Sequence, residues 1–120
     1  SDIKDFITKA EIIQNAKVIN NNICLAYTKT ETDNINIVIA QAADELLNIK
    51  EVEASFVLAR KDDRVFISAR SLGNINVHVL MENLGGGGHR DMAGAQLDTS
   101  LEKAYEMVKD TIQTYIKEEE

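Results

Sequence analysis

Four glycines in a row, Gly85-Gly86-Gly87-Gly88, followed at once by His89, narrow what this 120-residue chain can become more than any other feature. The whole chain holds only six glycines, and each gives up more backbone entropy on folding than any other residue. One glycine is enough to end a helix. Four in succession call for a further reason. Without Cβ atoms the backbone can turn left-handed and approach a ligand closely, and successive N–H groups can converge on an anion. His89 can add a ring N–H donor, stronger when protonated. Phosphate or carboxylate binding is therefore expected here in preference to a bare helix cap with a flexible loop.

Two familiar phosphate loops do not fit the run. A Walker A loop needs Lys and then Ser or Thr after its last glycine, whereas His89-Arg90-Asp91 follows here. A dinucleotide fingerprint needs a strand before it and a third glycine where Arg90 stands, and a helical pattern precedes the run.

The rest of the chain alternates between helical and strand periods and contains no proline. Ile3, Phe6, Ile7, Ala10 and Ile13 fall at helical spacing. Lys17 to Ile19 and Ile23 to Thr28 read as short strands around Asn20-Asn21-Asn22, since Asn tolerates left-handed turns. Ile35, Ile39, Ala42, Leu46 and Ile49 predict a helix capped by Asp33 or Asn34. Val52 to Leu58 and Arg64 to Arg70 predict a hairpin turning at Lys61-Asp62-Asp63. A short helix over Val77 to Leu84 should stop at the glycines, which read as a loop, and Ala93 to Leu97 as a last strand. Thr99 with Glu102 predicts a capping box for a final helix with Leu101, Ala104, Tyr105, Val108, Ile112, Tyr115 and Ile116 on one face. The fold class is therefore α/β, one domain over residues 1–120, with a central mixed sheet flanked by helices.

A second constellation stands at the end of the hairpin: Ser68-Ala69-Arg70-Ser71. Arg70 offers a planar fork of donors matched to phosphate oxygens, and the flanking hydroxyls can add hydrogen bonds. Alternation puts Ser68 and Arg70 on one face. Between residues 60 and 90 there are five basic residues against three acids, while the whole chain carries a net charge of −7. A locally basic region in an acidic domain suits a small phosphorylated ligand better than long duplex DNA. Cys24, the only cysteine, excludes an internal disulfide and reads as a buried inert thiol in a reducing setting. His78 reads as a surface histidine one turn before Glu82, and the sequence offers no clustered Asp and His set for a metal pair. No run approaches about 18 apolar residues, so no membrane span is read. A start at Ser1 rather than Met suggests a processed or excised piece.

Ser68-Ala69-Arg70-Ser71 followed by Gly85 to His89 and Met92-Ala93-Gly94-Ala95 resembles the DHHA1 domain, the C-terminal partner of the DHH phosphoesterase domain. With Ile39-Ala40-Gln41-Ala42-Ala43-Asp44, the chain is most similar to cyclic-di-AMP phosphodiesterases of the GdpP/YybT type. The resemblance implies hydrolysis of cyclic-di-AMP to pApA in bacterial signalling, with two divalent metals, usually manganese, held by a DHH domain of the same chain. It implies that Gly85, Gly86, Gly87, Gly88 and His89 line the substrate pocket, and that Arg70, with Ser68 or Ser71, holds a phosphate. There is no Asp-His-His sequence in these residues, so they are expected to be inactive alone. The expected setting is a soluble cytoplasmic domain without direct membrane contact, in a full-length protein anchored in the membrane. A homodimer is compatible with the resemblance.

Two other functions remain open at this stage. A RecJ-like or nanoRNA-degrading nuclease uses the same two domains on short oligonucleotides, but the acidic charge and the lack of an aromatic stacking series disfavour long strands. A nucleic-acid binding appendage, as in alanyl-tRNA synthetases, would bind tRNA with a steep salt dependence.

Overall fold

The computed structural model describes residues 2–119. Near the amino terminus the chain forms α1 (Ile3–Gln14), β1 (Lys17–Ile19), β2 (Ile23–Thr28) and α2 (Ile35–Leu46). It continues through β3 (Ala54–Lys61), β4 (Arg64–Ser71), α3 (Val77–Glu82), β5 (Gly87–His89), β6 (Met92–Leu97) and α4 (Leu101–Glu119). The strands make one mixed sheet in the order β1-β2-β3-β4-β6-β5. β2 and β3 are parallel because α2 crosses over between them, and the other described pairs are antiparallel.

Local chemistry accounts for the turns. Asn20 and Asn21 take left-handed φ of 52° and 70°, which lets β1 fold back on β2. Asp62, φ 57°, does the same between β3 and β4. The sheet then buries both faces. Ile23, Leu25, Phe56, Leu58, Val65 and Ile67 pack under α3 and α4. Cys24, Ala26, Val57 and Ala59 pack under α1 and α2, and burial pushes the Cys24 thiol up from its ordinary pKa. The α/β architecture of the sequence reading is the architecture observed, one unit with a six-stranded mixed sheet and four helices.

Three local expectations need correction. α1 forms, but Ile3, Phe6 and Ile7 face solvent, while Asp5, Thr8 and Ile12 face inward. Polar groups are tolerated there because Asp5 accepts from Asn34 Nδ2 at 3.2 Å and Thr8 Oγ1 donates to the Lys4 carbonyl at 2.7 Å. The cap of α4 is Ser100, whose Oγ accepts from the Lys103 N–H at 3.1 Å, so the Thr99–Glu102 capping box does not form. Thr99 instead gives its carbonyl to Arg60 Nη1. Finally, the glycine run is no free loop: its second half is β5, paired to β6 at the sheet edge.

Candidate functional site

The outer half of the sheet carries the residues that the sequence singled out. Along β4, Val65, Ile67 and Ala69 point into the core under α3 and α4, so Phe66, Ser68 and Arg70 point the other way. Residues paired across a ladder share a face. Ser68 pairs with Gly94, which pairs with Gly87; Arg70 pairs with Met92, which pairs with His89. Two parallel rows therefore cross three strands, Ser68–Gly94–Gly87 and Arg70–Met92–His89, with Phe66–Gln96 alongside. The Cα atoms of Arg70 and His89 stand two strands apart, roughly 10 Å. α2 packs on β3 and β4, and Met92 beyond it is 51% exposed. The rows thus start on β4, which α2 partly covers, and run out to Met92 and His89, which are exposed.

Ser71 is not part of this surface. It pairs with Ala54 on the opposite face, is buried, and its Oγ accepts from the Gly73 N–H at 2.9 Å. The strand period decides the point: neighbours in a strand cannot share a face. Of the two hydroxyls offered by the sequence, only Ser68 stands beside Arg70.

The four glycines divide into different duties. Gly85, with φ +86°, donates its N–H to the Glu82 carbonyl at 3.0 Å, and Gly86 donates to Met81 at 2.8 Å. This is a Schellman cap on α3. Those two N–H groups are committed to the helix, so a nest formed by all four N–H groups is ruled out. Gly86 and Gly88 lie against β6: a Cβ on Gly86 would overlap the Gly94 carbonyl, and one on Gly88 would meet Met92 O at 2.5 Å and Ala93 Cα at 2.6 Å. Gly87 has neither constraint. Its φ is not left-handed, and a Cβ there would meet nothing within 4 Å. Within the described residues, no fold reason requires glycine at 87. A concavity of about 460 Å³ opens beside this run, lined by Phe66, Gly85, Gly86, Gly94 and Gln96 among others.

Arg70 is held rather than free. Its Nε donates to Asp44 Oδ1 at 2.8 Å and its Nη1 to the Ala69 carbonyl at 2.9 Å. The local excess of basic residues does not converge into one patch. Arg64 pairs with Asp98, Arg60 donates to the Thr99 carbonyl, and Arg90 Nε donates to the Gly73 carbonyl at 2.7 Å. Sequence proximity placed these charges within thirty residues; the strands then aimed them at separate partners. His89 is exposed, with no hydrogen bond to Asp91 among the described residues. His78 is a surface residue with Nε2 3.7 Å from Glu82, as its spacing implied. Among the described residues no three His, Cys, Asp or Glu side chains come together as a metal site.

Residues 20–118 match the DHHA1 domain, and the chain belongs to that family. It is 42% identical over 119 residues to the cyclic-di-AMP phosphodiesterase GdpP of Bacillus subtilis, covering 96% of this chain and 18% of the relative. It is 37% identical over 120 residues to the cyclic-di-AMP phosphodiesterase PdeA of Listeria monocytogenes, covering 98% of this chain and again 18% of the relative. The chain thus spans less than a fifth of these relatives. In fold it is similar to an exopolyphosphatase-related protein from Bacteroides fragilis, with a TM-score of 0.83, 21% identity, and coverage of 96% of this chain and 36% of that one. It is also similar to RecJ from Thermus thermophilus in complex with Mn2+, with a TM-score of 0.68, 16% identity, and coverage of 92% and 16%. α1 precedes the family match, whereas both ladder rows lie within it.

Proposed function

We propose that this domain grips the phosphodiester of a cyclic dinucleotide on the sheet face that carries Arg70 and His89 and presents it to a catalytic centre outside these residues. In this reading the full-length protein hydrolyses cyclic-di-AMP to pApA. The carrying observation is the pair of ladder rows that put Arg70, Ser68, the bare Gly87 and His89 on one face of the sheet, opposite the side packed by α3 and α4. Arg70 supplies guanidinium donors to a phosphate oxygen that is not being cleaved, Ser68 a hydroxyl, and His89 an imidazole N–H. Gly87 leaves room for the ligand to lie against the backbone. Gly85, Gly86 and Gly88 shape the edge that makes this approach possible. The similarity to two cyclic-di-AMP phosphodiesterases over nearly all of this chain supports that substrate class.

The reading assigns no hydrolytic step to these residues. Two divalent metals, manganese by resemblance, would be held by a DHH domain of the longer chain, and the described residues do not form a site for them. The isolated chain is accordingly expected to bind and not to turn over. Calorimetric titration with pApA tests this: binding should weaken at least about tenfold in Arg70→Ala and in His89→Ala, in line with loss of a charge-assisted hydrogen bond. Unchanged affinity in both variants, or manganese-dependent cleavage of cyclic-di-AMP by the isolated chain, would overturn it. Tighter binding of a longer single strand than of pApA would move the substrate toward oligonucleotides.

A further inference from the structure

Arg70 reaches its position through two anchors on two different elements. The first is Asp44 near the C-terminal end of α2, 2.8 Å from Nε, and the second is the Ala69 carbonyl of its own strand, 2.9 Å from Nη1. The Arg70 side chain is only 11% exposed, whereas that of Asp44 is 58% exposed. The end of α2 is itself fixed on the sheet, because Ser55 Oγ donates to the Ala43 carbonyl at 2.6 Å, and Ser55 is the ladder partner of Arg70. A guanidinium carries five N–H donors. Asp44 takes one at Nε, Ala69 another at Nη1, and Nη2 makes no hydrogen bond among the described residues.

We infer that Asp44 is a positioning residue that holds Arg70 edge-on, leaving its remaining donors in place for an anionic ligand. This rests on the reading that Arg70 grips the substrate. The physical reason is preorganisation. An unanchored Arg must give up rotamer freedom when it binds, whereas an anchored one has already done so. Asp44 takes the Nε–H and so closes the side-on fork, but it leaves Nη2 and the outer end of the guanidinium for a phosphate oxygen.

The test uses this chain with pApA in a double-mutant cycle, together with the NMR signal of the Arg70 Nε–H. Asp44→Asn should weaken pApA binding by about fivefold to tenfold, and Asp44→Glu should recover part of that loss. In an Arg70→Ala background, Asp44→Asn should add nothing, an outcome that a merely structural role would not produce. Without ligand, the Nε–H signal should be slow to exchange in the parent chain and averaged with solvent in Asp44→Asn. Equal or tighter binding by Asp44→Asn, while Arg70→Ala binds weakly, would sink the positioning role alone, as would a rapidly exchanging Nε–H in the parent chain. No binding by the parent chain, or full binding by Arg70→Ala, would sink the grip and this role together.

Discussion

Strands β4 and β6 present two faces that differ in almost every respect. Toward α3 and α4 they offer Val65, Ile67, Ala69, Ala93 and Ala95, all buried. Toward the other side the same strands offer Phe66, Ser68, Arg70, Met92, Gly94 and Gln96. One residue of offset separates the core from the opposite, partly exposed face. The buried face holds the strands in place through apolar area removed from water. The other face keeps polar groups that need partners: a guanidinium satisfied by Asp44 and the Ala69 carbonyl, a hydroxyl and the bare backbone of Gly94. If the proposed grip is right, mutations on the two faces should separate stability from ligand affinity.

The largest effect should come from the buried side. Leu80→Ala removes a fully buried side chain of α3 and should cost about 2–5 kcal/mol in denaturant unfolding, lowering apparent pApA affinity only through the unfolded fraction. Next comes Gly88→Ala. Its added Cβ would meet Met92 O at 2.5 Å at a φ of +144°, so a loss of about 1–3 kcal/mol is expected, with detachment of β5 from β6 visible by amide exchange. If Gly88→Ala were neutral, the close approach of these two strands would be wrong.

Smaller effects sharpen the contrast. Ser100→Ala should cost about 1 kcal/mol and Thr99→Ala much less, which tests the corrected cap of α4 by thermal unfolding. Gly87→Ala should leave stability unchanged or raise it by about 0.4–1 kcal/mol, since its φ suits alanine and the new methyl meets nothing. The same variant should still weaken pApA binding. That split between stability and affinity is the sharpest mark of a glycine kept for a ligand. The smallest effect concerns acid. Glu53 is held below the usual carboxylate range by amides of Asn22 and Asn74. Its contribution should be complete above the unfolded value of about 4.3 and fade as pH falls through the lowered folded value. Asn74→Ala should therefore flatten the acid limb of a stability–pH curve below the unfolded carboxylate value.

Much of the fold could be read from local pattern. Asn20-Asn21 turned where left-handed geometry was expected, the β3–β4 hairpin closed at Asp62, and α3 stopped at Gly85. The readings that failed share one cause. Helical spacing told that Ile3, Phe6 and Ile7 lie on one face, but the face that packs is the one that meets α2 and the sheet, where Ile12 is buried with Ile35, Val38 and Ile39. β5 was invisible because three residues, two of them glycine, carry no strand propensity; only pairing with β6 makes them a strand. Asp44 stood in the sequence as the end of a helix motif, and nothing local tied it to Arg70, 26 positions away.

The sequence by itself determined the α/β order of every described element except β5, the glycine run and its family, and the alternation that sets Ser68 and Arg70 on one face. These follow from period and residue type, which act over a few positions. Only the tertiary structure decided that Ser71 is buried on the face opposite Arg70, that Gly85 and Gly86 cap a helix while Gly87 stays bare, and that Asp44 holds Arg70. Each of these depends on which strand lies beside which. Ladder register is set by the whole core, and no short stretch of chain contains it.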